Sequence, residues 1–117
     1  MPIDQKINYL ELPARDLDAT QAFYTGAFGW AFTDYGPTYR AFNDGFIDGG
    51  FYMSDASSST SNGAALVVLY GKDLEHTRDK VLRNGGTIVK DIFPFPGGRR
   101  FHFADPNGNE LAVWSDL

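Results

Sequence analysis

The sequence predicts an α+β domain of two βαβββ modules, on three observations: an internal repeat, a matched pair of Asp-led helix starts, and a small-residue polar connector at mid-chain. Shifting the chain by 57 positions lays Asp16-Leu17-Asp18-Ala19-Thr20 over Asp73-Leu74-Glu75-His76-Thr77. The same shift lays the apolar run Ile7 to Leu12 over Ala64 to Leu69, and Gly29 over Gly86. Ser54 to Gly63, lying between the halves, has small polar side chains that bury no face and reads as a flexible connection. The expected organisation is one domain over residues 1–117, with module one at about 5–54, a linker at 55–63 and module two at about 64–115.

Each half opens with a strand-like run, Ile7 to Leu12 and Ala64 to Tyr70, followed by an aspartate able to accept from the free N–H groups of a helix start. Helices are therefore expected to begin at Asp16 and Asp73. In the second, Leu74, Thr77, Val81 and Leu82 form one stripe, and Asn84-Gly85-Gly86 permits the left-handed stop. In the first, Leu17, Ala22, Phe23 and Phe28 do the same before Gly29. The rest of each half is short β-rich pieces: Trp30 to Tyr35, Tyr39 to Asn43 and Gly50 to Ser54, then Thr87 to Phe93, Arg100 to Ala104 and Glu110 to Ser115. Asp105-Pro106-Asn107-Gly108-Asn109 turns the last two strands into a hairpin, because Pro fixes φ and Gly and Asn tolerate positive φ.

Composition narrows the chemistry. A net charge of −5, with ten Lys plus Arg and no basic run, argues against nucleic acid as a partner. No stretch approaches the roughly 20 apolar residues that span a bilayer, and the first residues lack the apolar core of a signal peptide, so a cytoplasmic protein without membrane contact is expected. With no cysteine and two histidines, oxygen and imidazole groups must do any chemistry. Gly49-Gly50 and Gly97-Gly98 lack the strand-to-helix setting of a phosphate cradle.

The doubled unit, the Asp-Leu helix start running into Ala22-Phe23-Tyr24 and Phe28-Gly29-Trp30, the Gly85-Gly86 helix end and the Asp105 to Asn109 turn together resemble the vicinal oxygen chelate superfamily. That superfamily holds glyoxalase I, fosfomycin-resistance enzymes, extradiol dioxygenases and bleomycin-binding proteins; within it the chain is most similar to an uncharacterised group related to lactoylglutathione lyase. The resemblance implies a curved mixed sheet forming a cup with the helices outside, a homodimer, a small-molecule ligand, and a divalent metal held by His or Glu on the first and last strands. Here those positions fall on Tyr9, Leu66, Ala112 and the stretch near Phe51 to Met53, so the usual metal site is expected to be missing and no cofactor is assigned.

Strand alternation puts Tyr9 and Glu11 on one face, and Glu110, Ala112 and Trp114 on one face of the last strand, with Leu111 and Val113 towards the helices. Resemblance to the fosfomycin-resistance enzymes adds His102 at a cup-facing position. His102 and Glu110 are the acid–base candidates, since a carboxylate in an aromatic cavity has its pKa raised. Their alternative is a strand histidine bonded to a backbone carbonyl and a solvated or Arg-paired glutamate. Tyr9, Glu11, Arg40, Phe51 and Trp114 are the ligand-binding candidates, set against a salt bridge for Arg40 and core packing for most of the aromatics. Phe93-Pro94-Phe95-Pro96-Gly97-Gly98 reads as a loop that covers a ligand, or as a wide connection. Three functions follow: a metal-independent lyase or isomerase, a sequestering protein, and a metal-dependent lyase or dioxygenase with Glu11, His102 and Glu110 as relocated ligands.

Overall fold

Two aspartates start the two helices. In the computed structural model, which describes residues 2–117, Asp16 accepts from the Ala19 N–H at the head of α1 (Leu17–Phe28), and Asp73 accepts from the His76 N–H at the head of α2 (Leu74–Arg83). Each cap contributes about 1 kcal/mol. Gly29 ends α1 at φ 75°, where a side chain would be strained.

Around α1 the first module adds β1 (Tyr9–Ala14), β2 (Ala31–Asp34), β3 (Tyr39–Asn43) and β4 (Asp48–Met53). Around α2 the second adds β5 (Val67–Tyr70), β6 (Thr87–Phe95), β7 (Gly98–Ala104) and β8 (Glu110–Ser115). The sheets have the same order, β1-β4-β3-β2 and β5-β8-β7-β6, each with one parallel pair at an edge, β1 with β4 and β5 with β8. The α+β fold of doubled βαβββ modules is thus the observed one. No described helix is long and apolar enough to cross a membrane.

The core lies between the helices and the inner sheet faces, and α1 serves both sheets. Tyr24 stacks on Trp30 at 4.5 Å and meets Phe51 of the first sheet at 5.3 Å, while Phe23 meets Phe103 of the second at 5.9 Å. Such pairs add about 0.5–1.5 kcal/mol each beyond the burial of their area.

The turn between β7 and β8 does more than reverse the chain. The Tyr24 hydroxyl donates to Asp105 at 2.8 Å, Asn107 Nδ2 donates to Thr20 Oγ1 at 2.8 Å, and Asn109 Nδ2 donates to the Pro13 carbonyl at 2.8 Å. Burial pushes the Asp105 carboxyl above the ordinary carboxylate range, opposed by hydrogen bonds from Tyr24, Asn107 and Asn109. A turn of the second module is therefore the buried polar seam against the first.

Four sequence expectations change. Ser54 to Gly63 is not a free tether: Thr60–Asn62 forms a 3₁₀ turn capped by Ser59, and Ser57 and Ser58 bond to Asn107 and Asn109. The Ser57 hydroxyl and the Ser58 N–H satisfy polar atoms of the turn. Leu82 and Ala22 are exposed, and Tyr24, Ala27 and Thr20 are the buried residues that complete the stripe of α1. The run Phe93 to Gly98 is no wide loop, because β6 continues to Phe95 and turns tightly through Pro96 and Gly97. Pro94 is tolerated because β6 is an edge strand. β1 starts at Tyr9, leaving Ile7 88% exposed.

Candidate functional site on the open sheet faces

Each sheet buries one face against the helices; the other face is open on the first sheet and partly covered on the second, where His102, Glu110 and Ala112 are buried and Arg100 and Trp114 are partly exposed. On the first sheet Leu12, Phe42 and Phe51 face inward, so alternation turns Tyr9, Glu11, Tyr39, Ala41 and Tyr52 outward. On the second, Phe101, Phe103, Leu111 and Val113 are the buried set, and Arg100, His102, Glu110, Ala112 and Trp114 share the other side.

The open face of the first sheet carries a hydroxyl relay. Tyr39 Oη donates to Glu11 Oε2 at 2.9 Å and lies 2.6 Å from Tyr9 Oη, which in that arrangement donates to it. The phenol reaches Glu11 by crossing Gly50, whose Cβ, were it present, would sit 1.8 Å from Tyr39 Oη. Burial, then the bonds with Tyr9 and Glu11, push the Tyr39 phenol well above its ordinary range. Beside the relay is an open depression of about 600 Å³, lined by Tyr9, Thr33, Tyr35, Tyr39, Asn43 and Asp48 among others.

The open face of the second sheet holds an imidazole–carboxylate pair and an aromatic cluster. His102 Nδ1 lies 2.8 Å from Glu110 Oε2. The other oxygen, Oε1, accepts from Thr60 N at 3.0 Å and Thr60 Oγ1 at 2.7 Å. Burial pushes the Glu110 carboxyl up, but the bonds from His102 and Thr60 outweigh it and hold it at about 2. An ionised carboxylate only accepts, so His102 Nδ1 carries the proton it shares. His102 is 2% exposed, and its Nε2 is buried with no hydrogen-bond partner among the described residues. The expectation of a raised carboxylate pKa at Glu110 is corrected: the 3₁₀ turn of the linker supplies donors that the sequence did not place there.

Next to this pair the Arg100 guanidinium lies 5.5 Å from the Phe93 ring and 5.7 Å from the Phe95 ring. Trp114 meets Tyr70 edge-on at 5.2 Å and Phe95 at 6.3 Å.

Of the candidates, His102, Glu110 and Trp114 lie together on the second open face, and Tyr9 and Glu11 on the first. Two are corrected. Arg40 points to the helix side, bonded to Asp18 at 2.9 Å and Gln21 at 3.1 Å on α1. Phe51 is fully buried against Tyr24. Alternation explains both: Arg40 and Phe51 pair with each other across β3 and β4, on the same side as Phe42. Sequence reasoning missed the relay through Tyr39 and the aromatic seat of Arg100. Period-2 alternation places Arg100 two residues from His102 and was the available signal for the second.

A divalent ion does not fit the side chains at the family's ligand positions. Tyr9 is bonded to Tyr39, Ala112 is a buried methyl paired with His102 and Val68, and Leu66 is alkyl. The relocated set is not assembled within the chain, since Glu11 lies on one sheet and His102 and Glu110 on the other; among the described residues no three His, Cys, Asp or Glu side chains converge.

A family model described as the Glyoxalase/Bleomycin resistance protein/Dioxygenase superfamily matches residues 6–113. A glyoxylase-like domain-containing protein of Didymella fabae is 29% identical over 126 aligned positions, covering 97% of this chain and 95% of that one. Among solved structures, a glyoxalase/bleomycin resistance protein/dioxygenase family enzyme from Burkholderia phytofirmans PsJN aligns with a TM-score of 0.78 at 22% identity, over 94% of this chain and 98% of its own. A genomically encoded fosfomycin resistance protein from Listeria monocytogenes aligns at 0.80 and 14% identity, over 97% and 94%.

Proposed function

The chain belongs to the Glyoxalase/Bleomycin resistance protein/Dioxygenase superfamily, and on that premise we propose that it binds a small planar organic molecule in a cup between open sheet faces, without a metal. The carrying observation is the second open face. Its carboxylate is saturated by His102 and Thr60, while Phe93, Phe95 and Trp114 stay half-buried beside it. Half-covered aromatic walls with few polar groups are what a small-molecule site offers. A base held at about 2 is a poor proton acceptor near neutrality, so binding is favoured over catalysis by Glu110.

The cup is completed in a homodimer that sets the first sheet of one copy against the second sheet of the other. The faces are complementary in charge, with Glu11 and Asp48 on the first and Lys90 on the second. Both expose apolar side chains, including Tyr52 at 40% and Val68 at 43%. A twofold pairing makes two identical cups.

The test is a titration of the purified protein with 1-naphthamide, followed by tryptophan emission and calorimetry, with the probe then recovered and analysed. The expected result is saturable binding, lost in Trp114→Ala, with the probe unchanged. Sedimentation should give about twice the 13.0 kDa chain mass. Added Zn or Mn should leave the melting temperature unmoved; stoichiometric metal in the purified protein would overturn the metal-free reading.

A second reading rests on His102. Its Nδ1 is fixed by Glu110 and its Nε2 has no partner, an arrangement that supports proton transfer from a buried imidazole. That reading requires turnover of a carbonyl substrate that His102→Gln abolishes.

A further inference from the structure

Resting on the reading of the second open face as a ligand site, we infer that Arg100 is an anion-recognition subsite, and that the ligand is a planar aromatic carrying one carboxylate.

The arginines of this chain differ in what holds them. Arg40, Arg78 and Arg99 each have a carboxylate oxygen within 3 Å, and Arg15 bonds to Asn107, Asp55 and Ser57. Arg83 sits exposed in the last turn of α2. Arg100 is partly buried, yet no carboxylate lies within 4 Å of it among the described residues, and its buried Nε has no acceptor. This occurs in a chain with 15 carboxylates against 10 cations. Phe93 and Phe95 hold the guanidinium against their rings, which fixes its position while no side chain or carbonyl among the described residues accepts from it.

A guanidinium fork is the donor geometry that matches a carboxylate bidentately. A second orphan lies against the same ring, since Phe93 is 5.8 Å from the His102 ring and His102 Nε2 is buried without a partner. The side chain paired with Arg100 across β7 and β8 is Trp114, so an aromatic platform adjoins the cation. A guanidinium fixed beside an aromatic wall, with the neighbouring carboxylate already engaged, accommodates one carboxylate carried on a flat ring.

The experiment compares 1-naphthoate with the isosteric neutral 1-naphthamide by calorimetry, on the wild type, Arg100→Gln and Arg100→Lys, with sedimentation of each. The wild type is expected to bind the naphthoate about tenfold more tightly, as one charge-assisted contact gives. Arg100→Gln should erase the difference while leaving the naphthamide affinity within about twofold; Arg100→Lys, which keeps charge without the fork, should retain only part of it. Equal affinities in the wild type, or a preference that survives Arg100→Gln, overturn the anion subsite and leave the binding site standing. If Arg100→Gln dissociates the dimer with the preference intact, the cation is an interface residue and the inference fails. Binding of neither probe overturns the ligand-site reading itself, and this inference with it.

Discussion

At equivalent places in the two sheets, the same lattice carries opposite solutions. Register makes Glu11, Gly50, Ala41, Tyr39 and Tyr52 of the first module the counterparts of Val68, Ala112, His102, Arg100 and Trp114 of the second. In the first, a long polar side chain crosses a glycine and ends on a carboxylate of the parallel neighbour strand. In the second, the long polar side chain has alanine where the glycine was and valine where the carboxylate was, so it turns to Phe93 and Phe95. One backbone pattern thus gives a closed hydroxyl network on one face and an unpaired cation on the other. The repeat fixes where side chains point; the residue at each place decides whether they are satisfied from within.

The largest expected effect breaks the seam that joins the modules. Asn109 is fully buried, donates to Pro13 O and Asp105 Oδ2, and accepts from Ser58 N. Asn109→Ala leaves the buried Pro13 carbonyl and the half-buried Ser58 N–H without their side-chain partner, and should cost roughly 2–4 kcal/mol. Urea denaturation should show the midpoint falling with the slope unchanged. A loss under 1 kcal/mol would mean that the bonds of Asn109 are not what holds the two halves together.

Next in size is the acid response of the second face. Glu110 titrates at about 2 in the folded protein against an ordinary 4.5. A lowered folded pKa means stability present above the unfolded value and lost as pH falls through the folded one, so this contribution is complete above pH 4.5 and disappears towards pH 2. Its size is roughly 3 kcal/mol. Stability measured from pH 5 to 2 should fall with a slope that Glu110→Gln removes. An unchanged slope in that variant would place the acid sensitivity elsewhere.

The first face answers to a methyl group. Gly50→Ala puts a Cβ on the tip of the Tyr39 ring, which must swing off Glu11. About 1–2 kcal/mol should be lost. With its burial and its bonds to Tyr9 and Glu11 gone, the phenol should titrate nearer its ordinary 10, visible as one more tyrosine ionising in an absorbance titration. Retention of the raised value would mean that the Tyr39 ring keeps its place on Glu11 and that the backbone at Gly50 yields instead.

How much of this the sequence displayed depends on range. The helix starts were legible because a cap is a contact over three residues, Asp16 to Ala19 and Asp73 to His76. The burial of Leu111 and Val113 was legible because alternation is local. Arg40 and Phe51 lie on the helix side because β3 and β4 pair them there, and which face of a strand turns inward is set by its register with the neighbouring strand, a contact about ten residues away in sequence. Glu110 was misread for another reason: its donors lie 50 residues away in a segment whose serines and threonine look like solvated linker. The site's electrostatics depended on which linker hydroxyl folds back, and nothing periodic announces that.

The smallest structural change should have the sharpest functional reading. If Arg100 is unpaired because Val68 stands where the first module has Glu11, then Val68→Glu supplies the missing carboxylate on the same face, with Ala112 between. Val68 is 43% exposed, so a new pair there should shift stability by less than about 1 kcal/mol. Its effect on binding should be large: the about tenfold preference for 1-naphthoate over 1-naphthamide should vanish, because the guanidinium is taken by an internal anion. Val68→Gln adds the same bulk without charge and should keep the preference. If both variants behave alike, bulk at this position governs the face and the parallel between the modules does not extend to charge. If only the glutamate acts, one valine-for-glutamate difference between the repeats is what opens the second sheet to an anionic ligand.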